Sequence, residues 1–358
     1  LIQRMHQVYG LGDGILQWMR SYLSNRVQRV KISNKLSSPV TLTCGVPQGS
    51  VLGPILFSLY IGPLSEITER WHVQTHQYAD DCQLYLSFQP KDSADVQRAT
   101  EQLQSCVRDI ALWMEENRLK LNDSKTEMIV FSPRRVPRPL DSINLGDTHI
   151  AAATVVRDLG FLLDHHLALD SQVDAICKSC FFHLGNIGAM RRSLSRDAAE
   201  KLVHAFISSK LDFCNALLAF IPADQLKRLQ RVQNTAARIV TLTPKSAHIT
   251  PVLRELHWLP VRQRIKYKIA VLTWKVLHNL APSYLKELVT PYAPSRELRS
   301  SSITLCSVPN VNTKVGERAF NYSSPVTWNS LPLFLRNAET LSSFKSLLKT
   351  HLFNEAYH

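Results

Sequence analysis

Two adjacent carboxylates, Asp80 and Asp81, stand in the run Tyr78-Ala79-Asp80-Asp81 between two stretches rich in β-formers. Neighbouring carboxylates at a turn repel each other. A hard divalent cation relieves that repulsion, because oxygen ligands suit Mg²⁺. Two such ions about 4 Å apart activate an attacking hydroxyl and stabilise a leaving oxygen in phosphoryl transfer. Asp-Asp is also common in solvated turns. A second group is Gly45-Val46-Pro47-Gln48-Gly49-Ser50-Val51-Leu52-Gly53-Pro54. Its glycines let backbone approach a ligand closely, and a helix beginning at its end points N–H groups at an anion. The other reading is a tight strand-to-helix connection. A third group, Leu119-Lys120-Leu121-Asn122-Asp123-Ser124-Lys125-Thr126-Glu127, offers Lys125 to a phosphate or as proton donor to a leaving pyrophosphate, or is simply a polar turn before a strand.

These groups need elements to hold them. Periodicity predicts a helix over residues 15–23, with Leu16, Met19 and Leu23 on one face, and a half-buried strand over 27–32. A largely apolar helix is expected over 51–69, with Pro54 in its first turn, where the missing N–H costs nothing. Residues 73–78 and 82–88 read as the arms of a hairpin with Ala79-Asp80-Asp81 between them. An amphipathic helix over 92–117 follows, its stripe being Val96, Ala99, Leu103, Cys106, Ile110 and Trp113. Strands are expected over 125–132 and 155–163. Beyond residue 170 the chain turns helical, at 173–190, 196–216, 224–241, 261–280 and 341–353, with a strand-like piece at 302–308.

The 358 residues suffice for about two domains, and 45% hydrophobic with 20% charged residues excludes a mostly disordered, collagen-like or disulfide-dense chain. Seven scattered cysteines without a signal peptide predict reduced thiols inside the cell, in nucleus or cytoplasm. The uncharged stretch 36–65 is punctuated by Pro39, Pro47, Pro54 and Pro63, so it does not read as a membrane span. The net charge is +13, and residues 223–302 carry fourteen Lys and Arg against four acids. That excess favours polyanions as neighbours. On the helix from Val261, the apolar stripe Ile265, Ile269, Leu272 and Val276 is flanked by Arg262 and Lys266 on one edge and by Arg264, Lys268 and Lys275 on the other. These cations are either stems snorkelling at the core boundary or phosphate contacts. Cys177-Lys178-Ser179-Cys180 with His183 lacks a second cysteine pair and reads as buried thiols rather than a zinc site.

In this order, the Gly/Pro loop, the Asp-Asp hairpin and the Asn/Lys turn closely resemble reverse transcriptases, within them those of non-LTR (LINE-type) retrotransposons. Leu159-Gly160-Phe161-Leu162-Leu163-Asp164 looks like the Leu-Gly and Asp beyond the family's palm strands. Residues 228–238, His257-Trp258-Leu259-Pro260-Val261-Arg262 and Trp328-Asn329-Ser330-Leu331-Pro332 are similar to its post-polymerase region. The resemblance implies an α+β right-hand polymerase palm, in part, over residues 1–168. A mainly helical thumb over 169–245 and a basic, mainly helical C-terminal region over 246–358 would follow. It implies RNA-directed DNA synthesis by two-metal nucleotidyl transfer, with two Mg²⁺ (or Mn²⁺) ions. The partners would be an RNA template, a DNA primer or target and deoxynucleoside triphosphates, with no membrane. By motif, Asp80 and Asp81 would be the catalytic metal ligands and Lys125 would stand near the departing pyrophosphate. Pro47, Gln48, Gly49 and Tyr78 would lie beside template and nucleotide, and Leu159 and Gly160 in the primer grip. Arg262, Arg264, Lys266 and Lys268 would contact nucleic acid.

One departure weighs on activity. The family's metal site needs a further Asp on a strand before the helix that opens this chain, and residues 1–14 supply no such strand; Asp13 stands between Gly12 and Gly14. The family's fingers and upstream endonuclease have no counterpart here. The chain opens at Leu1, in what reads as a helix already under way, which predicts a true start upstream. The expectation is a C-terminal fragment of the polymerase, inactive as it stands, or a truncated part of an active one. The alternative is a non-catalytic nucleic-acid-binding remnant using the basic helices after residue 223; a translated relic without a role is a third possibility.

Overall fold

The computed structural model describes residues 1–47, 49–134, 136, 138–146, 148–292 and 305–358. Its contacts divide the chain into two units, Leu1–Ala153 and Thr154–His358. Among the described residues, no helix is long and apolar enough to cross a membrane.

The first unit opens with α1 (Ile2–Gln7) and α2 (Asp13–Leu23). Met5 and Leu16 meet Leu56 in a small core, with Met19 and Leu23 packed at its edge. The expected strand at 27–32 is split. β1 (Val27–Gln28) pairs with β4 (Val40–Thr41), and β2 (Lys31–Ile32) pairs with β3 (Lys35–Leu36). The expected helix at 51–69 is also two pieces, α3 (Gly53–Ile61) and α4 (Leu64–Arg70). Pro63 explains the break, since in a helix interior it would remove a hydrogen bond and clash with the preceding turn. It stands instead at the N-cap of α4, while Pro54 occupies the first turn of α3.

β5 (Gln74–Tyr78) and β6 (Asp81–Tyr85) form the anticipated hairpin. It is followed by α5 (Ser93–Glu116), whose start is fixed by Asp92, a carboxylate that accepts from the N–H groups of Ala94 and Asp95. Cys106 and Ile110 of α5 are buried against Leu64, Ile67 and Val73, and Leu84 and Leu86 of the hairpin arm pack on that cluster. The hairpin is therefore seated by its inner face on α4 and α5. Lys125 lies in a 3₁₀ turn (Asp123–Lys125), which leaves only β7 (Met128–Ile129) of the expected strand. β9 (Thr148–Ala153) is the centre of a three-stranded sheet, parallel to β7 and antiparallel to β8 (Ser142–Leu145).

The second unit begins with β10 (Val155–Asp158) and β11 (Phe161–Asp164), a hairpin rather than one strand. Leu159 and Gly160 turn the chain with φ of +44° and +88°. Two consecutive left-handed residues match the twist of the flanking strands. Beyond it come α6 (Asp170–Met190), α7 (Arg196–Val203), a π-helical turn (His204–Ser208), α8 (Ser209–Asp212) and α9 (Ala223–Thr241). α10 (Ile249–Glu255), α11 (Val261–Leu277) and α12 (Ser283–Lys286) follow, then α13 (Phe320–Asn329), α14 (Leu333–Arg336) and α15 (Leu341–Tyr357). One core runs from Phe161 through α6, α7, α9 and the start of α11. A second gathers Trp274, Trp328, Phe344, Leu348 and Leu352 between α11, α13 and α15. α11 joins both, which explains why its stripe of Ile265, Ile269 and Val276 is buried. Of the expected strand at 302–308, residues 302–304 lie outside the described residues. Cys306 bridges to Pro291, and the Asn329 side chain clamps the Cys306 backbone at both N–H and carbonyl.

Candidate nucleotidyl-transfer site

The β5–β6 register sets which residues stand beside the carboxylates. Tyr78 is opposite Asp81, His76 opposite Gln83 and Gln74 opposite Tyr85. Paired residues share a face, so Asp81, Tyr78, His76 and Tyr85 lie on one side, away from the core-seated Leu84. On that side the Tyr85 hydroxyl lies 3.2 Å from His76 Nε2 and the two rings stack at 5.4 Å, a diagonal brace across the strands. Ala79 and Asp80 make the tip. Ala79 has φ +55°, a left-handed conformation that costs an L-residue roughly 1–2 kcal/mol. Asp80, Asp81 and Tyr78 are all exposed. Among the described residues neither carboxylate forms an ion pair, and no group of three or more His, Cys, Asp or Glu is placed to hold a metal ion. The donor chemistry of Asp80 and Asp81 fits a hard divalent ion; two carboxylates are a partial ligand set for a pair of them.

The Gly/Pro loop is closed on itself by Ser50. Its hydroxyl donates to the Pro47 carbonyl at 2.7 Å and accepts from the Gly53 N–H at 3.1 Å. Gly49 turns with φ +77°. A Cβ at buried Gly53 would meet Ser50 Oγ at 3.1 Å and the Pro47 carbonyl at 3.4 Å, a tight fit that the loop would have to ease by a few tenths of an ångström. Arg26 ties the loop's start, donating to the Gly45 carbonyl at 2.5 Å. Gln48 lies outside the described residues. Lys125 is exposed, in a turn held by Asn122, whose side-chain oxygen accepts from Ser124 and whose carbonyl accepts from Thr126. No hydrogen bond or ion pair among the described residues joins Asp80 or Asp81 to Lys125 or to the loop.

Leu159 and Gly160 belong to the second unit, and the Phe213 ring lies against their turn, 3.6 Å from where a Gly160 Cβ would be. The motif's last residue has a role that spacing alone could not show. Buried Asp164 accepts from the N–H groups of His166 (3.1 Å), Ala168 (2.9 Å) and Leu169 (2.6 Å), locking the link between β11 and α6. The four α11 cations divide into two kinds. Arg264 makes a two-point pair with Asp212, and Lys266 pairs with Glu355 at 2.8 Å. Arg262 and Lys268 are exposed. Cys177 and Cys180 lie on the buried face of α6, and burial pushes the Cys180 thiol up to about 12. The neutral thiol is a poor metal ligand.

Residues 4–163 match the model of the reverse transcriptase (RNA-dependent DNA polymerase) family. This stretch, a little under half of the chain, is similar to that family. It contains the hairpin with Asp80 and Asp81, the Ser50-closed loop and the Lys125 turn, all within the matched span. A polymerase palm is the fold that this match implies. The family as a whole uses divalent metal ions, and a nucleic-acid template and nucleotides are what it acts on.

Similar proteins extend the likeness past residue 163. The probable RNA-directed DNA polymerase from transposon BS of Drosophila melanogaster is 26% identical over 290 residues, covering 78% of this chain and 31% of the relative. The probable RNA-directed DNA polymerase from transposon X-element of the same fly is 25% identical, covering 62% of this chain and 24% of its own length. The RNA-directed DNA polymerase from mobile element jockey, also of Drosophila melanogaster, is 23% identical, covering 80% and 30%. The chain is thus related to polymerases of LINE-type mobile elements, and it spans under a third of the length of these relatives. No solved structure matches the chain significantly. Past residue 163, the motifs recognised in the sequence hold the helical cores together. Trp258 and Trp328 are buried, Asn329 makes the Cys306 clamp, and Pro260 and Pro332 stand at the N-caps of α11 and α14.

Proposed function

We propose that this chain carries the metal-binding palm hairpin and the helical thumb of an RNA-directed DNA polymerase. Asp80 and Asp81 would supply two of the carboxylates of a two-metal nucleotidyl-transfer site. The observation that carries the reading is the pair of unpaired carboxylates exposed at the tip of a hairpin whose inner face is locked onto α4 and α5. Palm residues would extend to 168, thumb residues from 169 to 245 and a basic C-terminal region from 246 to 358. Bound divalent ions, Mg²⁺ or Mn²⁺, would activate the primer hydroxyl and steady the leaving pyrophosphate. The protein's own contribution is positional. The Tyr85–His76 brace and the seated arm hold Asp81 in place, and the Ser50-closed loop carrying Pro47, Gln48 and Gly49 would border template and nucleotide. Lys125 would face the pyrophosphate, and Leu159 and Gly160 would grip the primer. The substrates are an RNA template, a DNA primer and deoxynucleoside triphosphates, met in nucleus or cytoplasm.

Two carboxylates leave the ion pair short of oxygen ligands, so the chain by itself is expected to bind primer–template and to extend it no better than an Asp80→Ala variant. Primer extension on an RNA template with Mg²⁺, alongside a gel-shift titration, tests both halves. Failure to bind primer–template overturns the reading, and extension above the variant overturns the inactivity.

A further inference from the structure

Of the basic helices after residue 223, α11 has two of its cations tied to Asp212 and Glu355. Lys227 and Arg231 of α9 have no acidic partner among the described residues, and they stand beside α6. α6 and α9 lie side by side and run in the same direction, with Asp174 paired to Arg228 at one end and Gly188 and Arg191 against Ile239 at the other. On α6, Asp174, Lys178, Phe181 and Gly185 fall within roughly 60° of one another on the helix and face solvent, with Phe182 at their margin. Lys227 and Arg231 are exposed on α9, on either side of Arg228, which reaches across to Asp174 of α6. Lys178, Lys227 and Arg231 form no ion pair among the described residues.

Aromatic rings interleave with this charge. Phe181 is 41% and Phe182 65% exposed, a cost for groups that burial would stabilise. Phe182, one helical turn from Lys178, sits edge-on to His183 at 5.4 Å, and His183 stacks at 4.9 Å on Phe206, itself 42% exposed, so a strip of rings leads from Phe182 round the edge of α6 that faces away from α9. Gly185 raises no side chain above the helix. Cations track phosphates and exposed rings accept unstacked bases, the combination that suits single strands; a duplex hides its base faces. We propose that this face, Lys178, Phe181 and Phe182 of α6 with Lys227 and Arg231 of α9, binds single-stranded nucleic acid. The proposal rests on the reading of the chain as a polymerase relative and adds a single-strand surface apart from the Asp80–Asp81 hairpin.

The test is fluorescence anisotropy of the full chain with a labelled 20-nucleotide oligouridylate, in EDTA so that the carboxylate hairpin plays no part. The slope of log K against log salt should fall by about 1.4 in Lys227→Glu/Arg231→Glu, about 0.7 for each single-strand phosphate that a cation no longer neutralises. Phe182→Ala should weaken binding about tenfold and leave the slope unchanged. Lys345→Glu/Lys349→Glu, on the exposed face of α15, should alter the slope far less than the α9 pair. All substituted side chains are exposed, so unchanged circular dichroism secures folding. A wild-type slope in the α9 double variant, or wild-type affinity in Phe182→Ala, overturns the surface. So does tighter binding of a 20-base-pair duplex or of phosphatidylserine vesicles. If the wild-type chain binds neither single strand nor primer–template, the polymerase reading falls as well; binding that these substitutions leave untouched removes the surface alone.

Discussion

Replacing Asp164 by alanine removes one carboxylate and strands three backbone N–H groups. Leu169 is fully buried, so its N–H, 2.6 Å from Oδ2, has no water to turn to. A buried donor left without a partner costs about 1–3 kcal/mol, and a hydrogen bond to a charged acceptor lies at the upper end. The donors of His166 and Ala168 are half-buried and can recruit water, so they add only about 0.5 kcal/mol each. Together the loss is about 3–4 kcal/mol, a large part of the stability of an ordinary domain. Asp164→Asn keeps an oxygen for His166 and Ala168 but turns an amide N–H₂ toward Leu169, and should cost about 2 kcal/mol. The carboxylate also faces Arg318, whose guanidinium is lowered by burial and partly restored by the charges of Asp164 and Asp170. Hydrogen exchange read by mass spectrometry separates the two units. In Asp164→Ala, the slowest amides of α6 and α9 should exchange about 100- to 1000-fold faster, while those of α5 stay as they were. Exchange in α6 and α9 within threefold of wild type would refute the argument that this carboxylate locks the β11–α6 link.

Other consequences follow from the same geometry. Gly160→Ala forces a Cβ onto a residue at φ +88° and should lower stability by about 1–2 kcal/mol, read as a fall in the thermal midpoint of the second unit; an unchanged midpoint would contradict the turn. Arg264→Gln breaks the pair with Asp212, part-sheltered on both sides, and should cost about 1 kcal/mol, whereas Arg262→Gln on the exposed face should leave stability unaltered. Equal losses in urea titrations would mean that the two cations do not differ as described. Alkali should destabilise the fold. Burial raises Cys106 and Cys306 to about 11 and Cys180 to about 12 from a usual 9. Between those values the unfolded chain releases protons that the folded chain keeps, so stability is full below about pH 9 and declines as pH rises through 11–12. A flat stability profile from pH 8 to 11 would contradict the burial of these thiols.

What could be read from the sequence was local. The hairpin about Ala79 and Asp80 was legible because β-formers flank a turn, and the long helix because its apolar stripe and Asp92 cap are short-range signals. Pro54 in a first turn followed from the missing N–H alone. The same proline chemistry, applied at Pro63, separates α3 from α4. Leu159 carries no turn signal of its own, so residues 155–163 read as one strand although the neighbouring Gly160 permits the turn. The break of 196–216 at a π-helical turn has no sequence mark. The cations of α11 show the limit most clearly: Arg264 and Asp212 are 52 positions apart, and no periodicity reveals such a pair. Asp164 was visible as part of a motif, while its three N–H partners were not.

The central claim, that the Asp80–Asp81 turn is the metal-binding turn of a polymerase palm, is tested most directly by transplanting it. Residues 73–88 would replace the corresponding hairpin of the jockey polymerase, and primer extension on an RNA template would be measured with Mg²⁺. The account predicts that the chimera extends primer and that Asp80→Ala or Asp81→Ala within the graft abolishes extension. Extension that continues undiminished after either substitution would contradict it.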